Sequence, residues 1–240
     1  MQSVVLDFDI DFEREKDRTM FPWNDKKGFR HWILSSLLSA RWSQLLDMIE
    51  CPSDRDSLIV DIGCNIGWLT QPLSLRAKTV GLDIDKKILS ATKACKRDLE
   101  LVCCDLCYLP LRNSSVDIAV CASVFEHVEN LSKAIEEITL ILKKKGKLAA
   151  GYPIETKLLE FIIKSFYKSE FMVWDQTNIS KKRYRTKNPH THKQSFSEIR
   201  RLLRRNFSTL KIRKMPIGFL PDFLSIYENV ILLKIEKREL

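Results

Sequence analysis

Nowhere in the 240 residues does an apolar run reach the ~18 positions a membrane-spanning helix requires. No internal repeat and no low-complexity tract is present. Met1 to Glu15 shows neither a basic n-region nor an apolar h-region, so it does not read as a secretory signal. The seven cysteines are an odd number, scattered from Cys51 to Cys121, which favours reduced thiols over a disulfide framework. These absences together predict a cytoplasmic chain. Two phosphate-binding signatures are missing as well. After Gly63, the positions of a G-x-G-x-x-G fingerprint give Asn65 and Trp68, and no Lys-Ser/Thr follows to complete a P-loop. Metal-ligand spacing is equally thin: Cys104-x-x-Cys107 has no partner pair, and His190-x-His192 has no nearby acid or third ligand. No metal is expected.

What is present is enough for a substantial core, with 45% hydrophobic and 9% aromatic residues. The formal charge of +9 is local in origin. Lys181 to Lys214 holds 13 basic residues and one acid, Glu198, whereas the rest of the chain sums to −3. An anionic partner, if there is one, belongs to 181–214. Arg200, Arg201, Arg204 and Arg205 in that stretch read as the polar face of an amphipathic helix.

Residues 1–28 form an irregular leader. Trp32, Ile33, Leu37, Leu38, Leu45, Leu46 and Ile49 then recur at helical spacing up to Cys51-Pro52. Beyond it, short apolar runs alternate with helical patterns. Strands are expected at Leu58 to Ile62, Thr79 to Leu82, Leu99 to Cys103, Val116 to Cys121 and Lys147 to Gly151. Between them, Asp85 can cap a helix with Ile88, Ala91 and Cys95 on one face, and Leu131 to Leu142 is a helix with Gly146 following as a stop. Tyr152 to His192 breaks the rhythm and reads as an insertion over the ligand edge. Ser195-x-x-Glu198 is a capping box for a last helix burying Phe196, Ile199, Leu202 and Leu203. Strands near Leu210 to Arg213 and Asn229 to Ile235 complete the sheet. The expected fold is α/β: Rossmann-like, seven-stranded, mostly parallel, helices on both faces and an antiparallel strand near the C-terminus.

The informative stretch is Leu58 to Gly67, where a buried strand runs into a tight turn with glycines at 63 and 67. Asn65 between them tolerates positive φ. Twenty-two residues beyond Asp61, Val80-Gly-Leu-Asp-Ile-Asp85 ends the second strand in an acid, which at this place in an open sheet can accept the hydroxyls of a ribose. Cys104-Asp105-Leu106 offers a third carboxylate at the end of the third strand, placed to accept an adenine amino group. The pattern suits a nucleoside without a phosphate cradle.

On these residues the sequence resembles the class I S-adenosylmethionine-dependent methyltransferases, type 11 group. Asp61-Ile-Gly-Cys-Asn-Ile-Gly67 resembles the first motif, and Asp83 and Asp105 match the ribose and adenine acids. Val116 to Val128, with its Glu-His-Val ending, is similar to the fourth-strand motif. Asn65 stands where glycine is usual, and Lys144-Lys145 where Pro-Gly is usual. Ser123 stands where some quinone-pathway members carry a second metal-binding glutamate. The resemblance implies a single domain: leader and helix at 1–50, cofactor-binding core at 55–152, substrate-side insertion at 153–192, last helix and strands at 193–240. It implies S-adenosyl-L-methionine as cofactor, held by Asp61, Gly63, Cys64, Asn65, Gly67, Asp83, Ile84, Asp105, Leu106 and Ser123. His127 and His192 are the candidate general bases. A small-molecule acceptor is expected first, since the Asn/Asp-Pro-Pro-aromatic signature of DNA base-amino enzymes is replaced by Ala122-Ser-Val-Phe. RNA or protein is the alternative acceptor, and a non-catalytic cofactor-binding module the alternative role.

Overall fold

The computed structural model describes residues 40–51, 56–154, 192–215, 221–222 and 225–235. The leader, residues 29–39 of the first helical pattern, 155–191 of the insertion and the basic cluster Lys181 to Lys187 lie outside the described residues. Helix α1 covers 40–48. It is followed by β1 (Leu58–Ile62), α2 (Thr70–Ser74), β2 (Lys78–Asp83), α3 (Lys86–Cys95), β3 (Glu100–Cys103) and β4 (Val116–Ala122). A 3-10 turn at Phe125–His127 leads to α4 (Leu131–Ile141), β5 (Leu142–Pro153), α5 (Phe196–Asn206), β6 (Phe207–Met215) and β7 (Tyr227–Lys234).

The seven strands form one sheet in the order β3-β2-β1-β4-β5-β7-β6. The pairs from β3 through β5 are parallel, and β7 runs antiparallel to both β5 and β6. The order reverses direction between β1 and β4, the switch point at which such sheets open a crevice beyond their carboxyl ends.

Both faces are covered, and the period of two along each strand divides the apolar side chains between them. Val60, Ala119, Cys121, Leu148, Ala150, Val230 and Leu232 pack with Ile135, Ile138 and Ile141 of α4 and with Ile199, Leu202 and Leu203 of α5. Ile59, Ile118, Val120, Ala149 and Ile231 face the other way, onto Leu45, Met48 and Ile49 in and after α1 and Leu69 and Leu73 in and before α2. The edge strand β6 is largely exposed and carries Lys211, Arg213 and Lys214, charges that oppose pairing with another chain. No helix among the described residues is long and apolar enough to cross a membrane.

Three expectations need correction. The inner face of α3 is Leu89, Ala91 and Thr92, while Cys95 is exposed and Ile88 half-buried. A polar residue joins that face because Thr92 Oγ1 donates to the Asn65 carbonyl (3.4 Å). Gly146 does not stop α4: the helix ends at Ile141, and Leu142 already pairs with Val116. The ladder slips over Lys143–Lys145, with Lys145 at φ 65°, and resumes at Ile118 and Lys147. Asp85 does cap α3, accepting from the Lys87 and Ile88 amides (2.9 and 3.2 Å), and Ser195 caps α5 through the Glu198 amide (3.2 Å).

The remaining correction concerns Arg200. It lies inward, donating to Glu228 Oε1 (3.2 Å) and Oε2 and to Asp222 Oδ2 and Oδ1 (2.7 and 3.1 Å). The solvated face of α5 is left to Arg201, Arg204 and Arg205. Much of the described basic stretch is likewise paired with acids: Arg201 with Glu198, Lys193 with Glu129, Lys211 with Glu50 and Lys214 with Asp222.

Candidate functional site

The turn after β1 is left-handed at Gly63, Asn65 and Gly67, with φ of 72°, 48° and 76°. The amides of Gly63 and Cys64 both donate to the Leu82 carbonyl (2.7 and 2.9 Å), so the turn is tied to the end of β2. The Asn65 amide donates to Asp83 Oδ2 (2.8 Å) and the Asp85 amide to Asp83 Oδ1 (2.9 Å). A carboxylate has about four lone-pair sites, so each Asp83 oxygen keeps acceptor capacity after binding one amide. The backbone thus aims this acid at the switch point while leaving it able to take two further hydroxyls. Next to it, Ile84 is 69% exposed, an apolar surface at the mouth of the crevice. The Cys104 amide donates to the Asp83 carbonyl (2.9 Å) and fixes the end of β3 alongside. Asp105 is exposed there, with one oxygen accepting from the Cys107 amide (2.8 Å).

Not every expected residue presents its side chain to this crevice. Leu106 belongs to the main core. Cys64 is buried, and its Sγ would lie 2.9 Å from a Cβ placed on Gly81; burial pushes its thiol well above the usual range. Asp61 is also buried and accepts from Thr70 Oγ1 at the start of α2 (2.6 Å). The acid therefore anchors the helix that follows the turn. Thr70 has no signature in the sequence beyond lying one helical start downstream.

Burial, with the Asp83 charge adding to it, raises the Asp61 carboxyl to about 6. An acid raised in the folded state binds its proton more tightly there than in the unfolded chain, whose value is 3.8. Its contribution therefore favours the fold at low pH and is lost as pH rises from about 4 to about 6. Asp61→Asn keeps an oxygen for Thr70 and removes the titration. The difference in unfolding free energy between wild type and this variant is expected to slope over that window and to be flat above it, in denaturant titrations from pH 4 to 8.

The other bank of the crevice starts at the end of β4. Ser123, at φ 57°, donates its amide to the Gly151 carbonyl (2.8 Å), and its Oγ shares a hydrogen bond with Tyr227 Oη (2.8 Å). Arg41 of α1 lies over the rings of Trp42 (4.6 Å) and Tyr227 (5.2 Å), and Trp42 stacks on Trp68, one residue past Gly67 (5.8 Å). Helix α1 thereby bridges the two banks, a role that no local pattern in the sequence signals.

The 3-10 turn carries Glu126, buried, and His127, half-buried. The segment before α5 docks on it: the Lys193 and Gln194 amides donate to the Glu126 carbonyl (2.6 and 3.2 Å), and Gln194 Nε2 donates to the carbonyls of Val128 and Glu129 (3.0 and 3.1 Å). This docking brings His192 to His127, edge to face, with ring centroids 4.9 Å apart. The two candidate bases, 65 residues apart in sequence, form one cluster with the Glu126 carboxylate.

The acids and the glycine turn at the switch point, with the Glu126, His127 and His192 cluster beyond β4, can be set beside known proteins. Residues 60–150, the span from β1 into β5, match the family model described as a methyltransferase domain of the type 11 group. Over these residues the chain is similar to that family, and its sheet order is that of the Rossmann-like methyltransferase fold. An uncharacterized protein of Methanocaldococcus jannaschii is 37% identical over 106 residues, 44% of either chain. The chain spans less than half the length of the curated relatives it matches. Among solved structures, magnesium protoporphyrin IX methyltransferase from Synechocystis, with bound SAH, superposes with TM-score 0.63 at 15% identity, over 94% of this chain and 95% of that one. The cyclase SpnF superposes with TM-score 0.61 at 14% identity, over 85% and 84%. These two likenesses show the fold, and the cyclase illustrates that the fold alone does not set the chemistry.

Proposed function

We propose that this chain, as one domain over 1–240, transfers a methyl group from S-adenosylmethionine to a small-molecule acceptor. The observation that carries the reading is the Asp83 carboxylate, held at the switch point by the Asn65 and Asp85 amides with acceptor capacity left on both oxygens. Such a group suits a ribose diol. The glycine turn admits close approach of a ligand, Ile84 offers an apolar surface for adenine, and Asp105 an acceptor for its amino group. Gly63, Asn65, Gly67 and Ser123 would line the path of the amino-acid portion.

When bound, S-adenosylmethionine supplies a methyl group already activated on a sulfonium. The task left to the chain is to orient the acceptor and exclude water, work that proximity alone can perform with effective molarities on the order of 10⁵ M. An imidazole nitrogen of His127 or His192 would take the proton from an acceptor that must lose one during attack. The pairing of Arg200, Arg201, Lys193, Lys211 and Lys214 with acids favours a small acceptor over RNA.

Two measurements test the reading. Calorimetry with S-adenosylhomocysteine is expected to show binding that weakens about a hundredfold in Asp83→Ala, the scale of losing two hydrogen bonds to a charged group. Unchanged affinity in the variant removes the nucleoside assignment. Incubation with methyl-labelled cofactor and a cell extract is expected to label a low-molecular-weight fraction. Label confined to RNA or protein transfers the proposal to that acceptor, and no label at all leaves a binding module.

A further inference from the structure

Glu126, His127 and His192 each place one donor atom so that all three lie within 4.8 Å of one another. Glu126 and His127 come from the turn after β4, and His192 from the segment pinned to that turn by the Lys193 and Gln194 amides. The sequence offered His127 beside Glu126 without a third ligand, since Ser123 lacks a carboxylate and His192 is remote in the chain. Folding supplies that third donor.

We infer that these three residues bind a divalent first-row transition ion at the acceptor side of the crevice. The inference rests on the methyltransferase reading only for the role of the site, not for its existence. Two imidazoles and one carboxylate are the donor set of open zinc and non-haem iron centres, and they disfavour magnesium or calcium, which take oxygen ligands. Metal–donor bonds of about 2.1 Å set donors about 3.4 Å apart in a tetrahedral site. Side-chain rotation closes the remainder, because the backbones are already fixed to each other. Glu126 is 2% exposed, and a carboxylate so deeply placed is stabilised by a neighbouring cation. Three protein ligands leave at least one coordination position for an oxygen of the acceptor, which the ion would orient and make more acidic, so that with the ion bound this acidification replaces proton abstraction by a free imidazole.

The test is cobalt(II) titration of the full chain after chelator treatment, followed by visible absorption. The expected result is one equivalent bound with d–d bands of nitrogen and oxygen ligation. His127→Gln and His192→Gln are each expected to weaken binding at least about tenfold, and the pair to abolish it, with thermal melts confirming that the variants fold. Thiolate-to-cobalt charge transfer, or binding that survives in the double variant, assigns the ion to the cysteines and overturns the proposal. Absence of binding to wild type does the same. Calorimetry with S-adenosylhomocysteine on the same metal-free samples separates the two readings: cofactor binding without cobalt binding removes the metal site alone.

Discussion

Arg200→Ala is expected to destabilise the fold by about 3–5 kcal/mol, the scale of stripping one partner from a buried ion pair. Glu228 is 1% exposed and its carboxylate is shared by Arg200 and the Tyr152 hydroxyl, which donates to Oε1 (2.6 Å). Without the guanidinium, Tyr152 alone remains to answer the charge within this network. Hydrogen bonds from Arg200, followed by those from Lys214, hold Asp222 well below the usual carboxylate range. Arg200 therefore joins α5, β7 and residues 221–222 at once, and its guanidinium also lies over the Phe196 ring (4.1 Å). Glu228→Gln in the Arg200→Ala background is expected to recover part of the loss, since it removes the uncompensated charge but keeps an acceptor for Tyr152. Urea midpoints of the two single variants and the double variant measure this. If Arg200→Ala costs under about 1 kcal/mol, the pair is solvated and the network is not structural.

That network also shows why some of the molecule is legible from the chain and some is not. The strands were readable because each is a short apolar run, and the acids at 83 and 105 because they sit at the ends of those runs. Positive φ at Asn65 follows from local chemistry as well. Burial of Arg200 does not, because its partners are 22 and 28 residues away and the local pattern of α5 favours a wet arginine face. The orientation of α3 failed for a related reason: helical periodicity tolerates a one-residue rotation, and the choice was made by Thr92 finding a carbonyl in the glycine turn. At the site, Asp61 carries the first motif, yet its hydroxyl partner Thr70 appears only when α2 folds back over the turn. The Glu126, His127 and His192 cluster is the extreme case, since it forms through main-chain and side-chain bonds between two segments remote in sequence.

Gly63→Ala is expected to be the most damaging single-methyl change in the crevice. Two independent costs meet there. The residue is at φ 72°, where a side chain costs roughly 1–2 kcal/mol. A Cβ would also lie 2.2 Å from Val124 Cγ2, so the Val124 side chain just after β4 must rotate or shift, at a typical overpacking cost of about 1–3 kcal/mol. The sum is about 2–5 kcal/mol, read as a fall in the urea midpoint. The two costs separate in a double-mutant cycle. Val124→Ala removes the colliding methyl and should restore the packing portion, leaving the backbone portion intact. Because the Gly63 amide is bonded to Leu82, next to Asp83, the displaced turn is also expected to weaken S-adenosylhomocysteine binding at least about tenfold, with Val124→Ala recovering it. Additive losses in the cycle place the strain in the backbone alone, and a cofactor affinity unchanged by Gly63→Ala shows that the turn does not shape the nucleoside crevice.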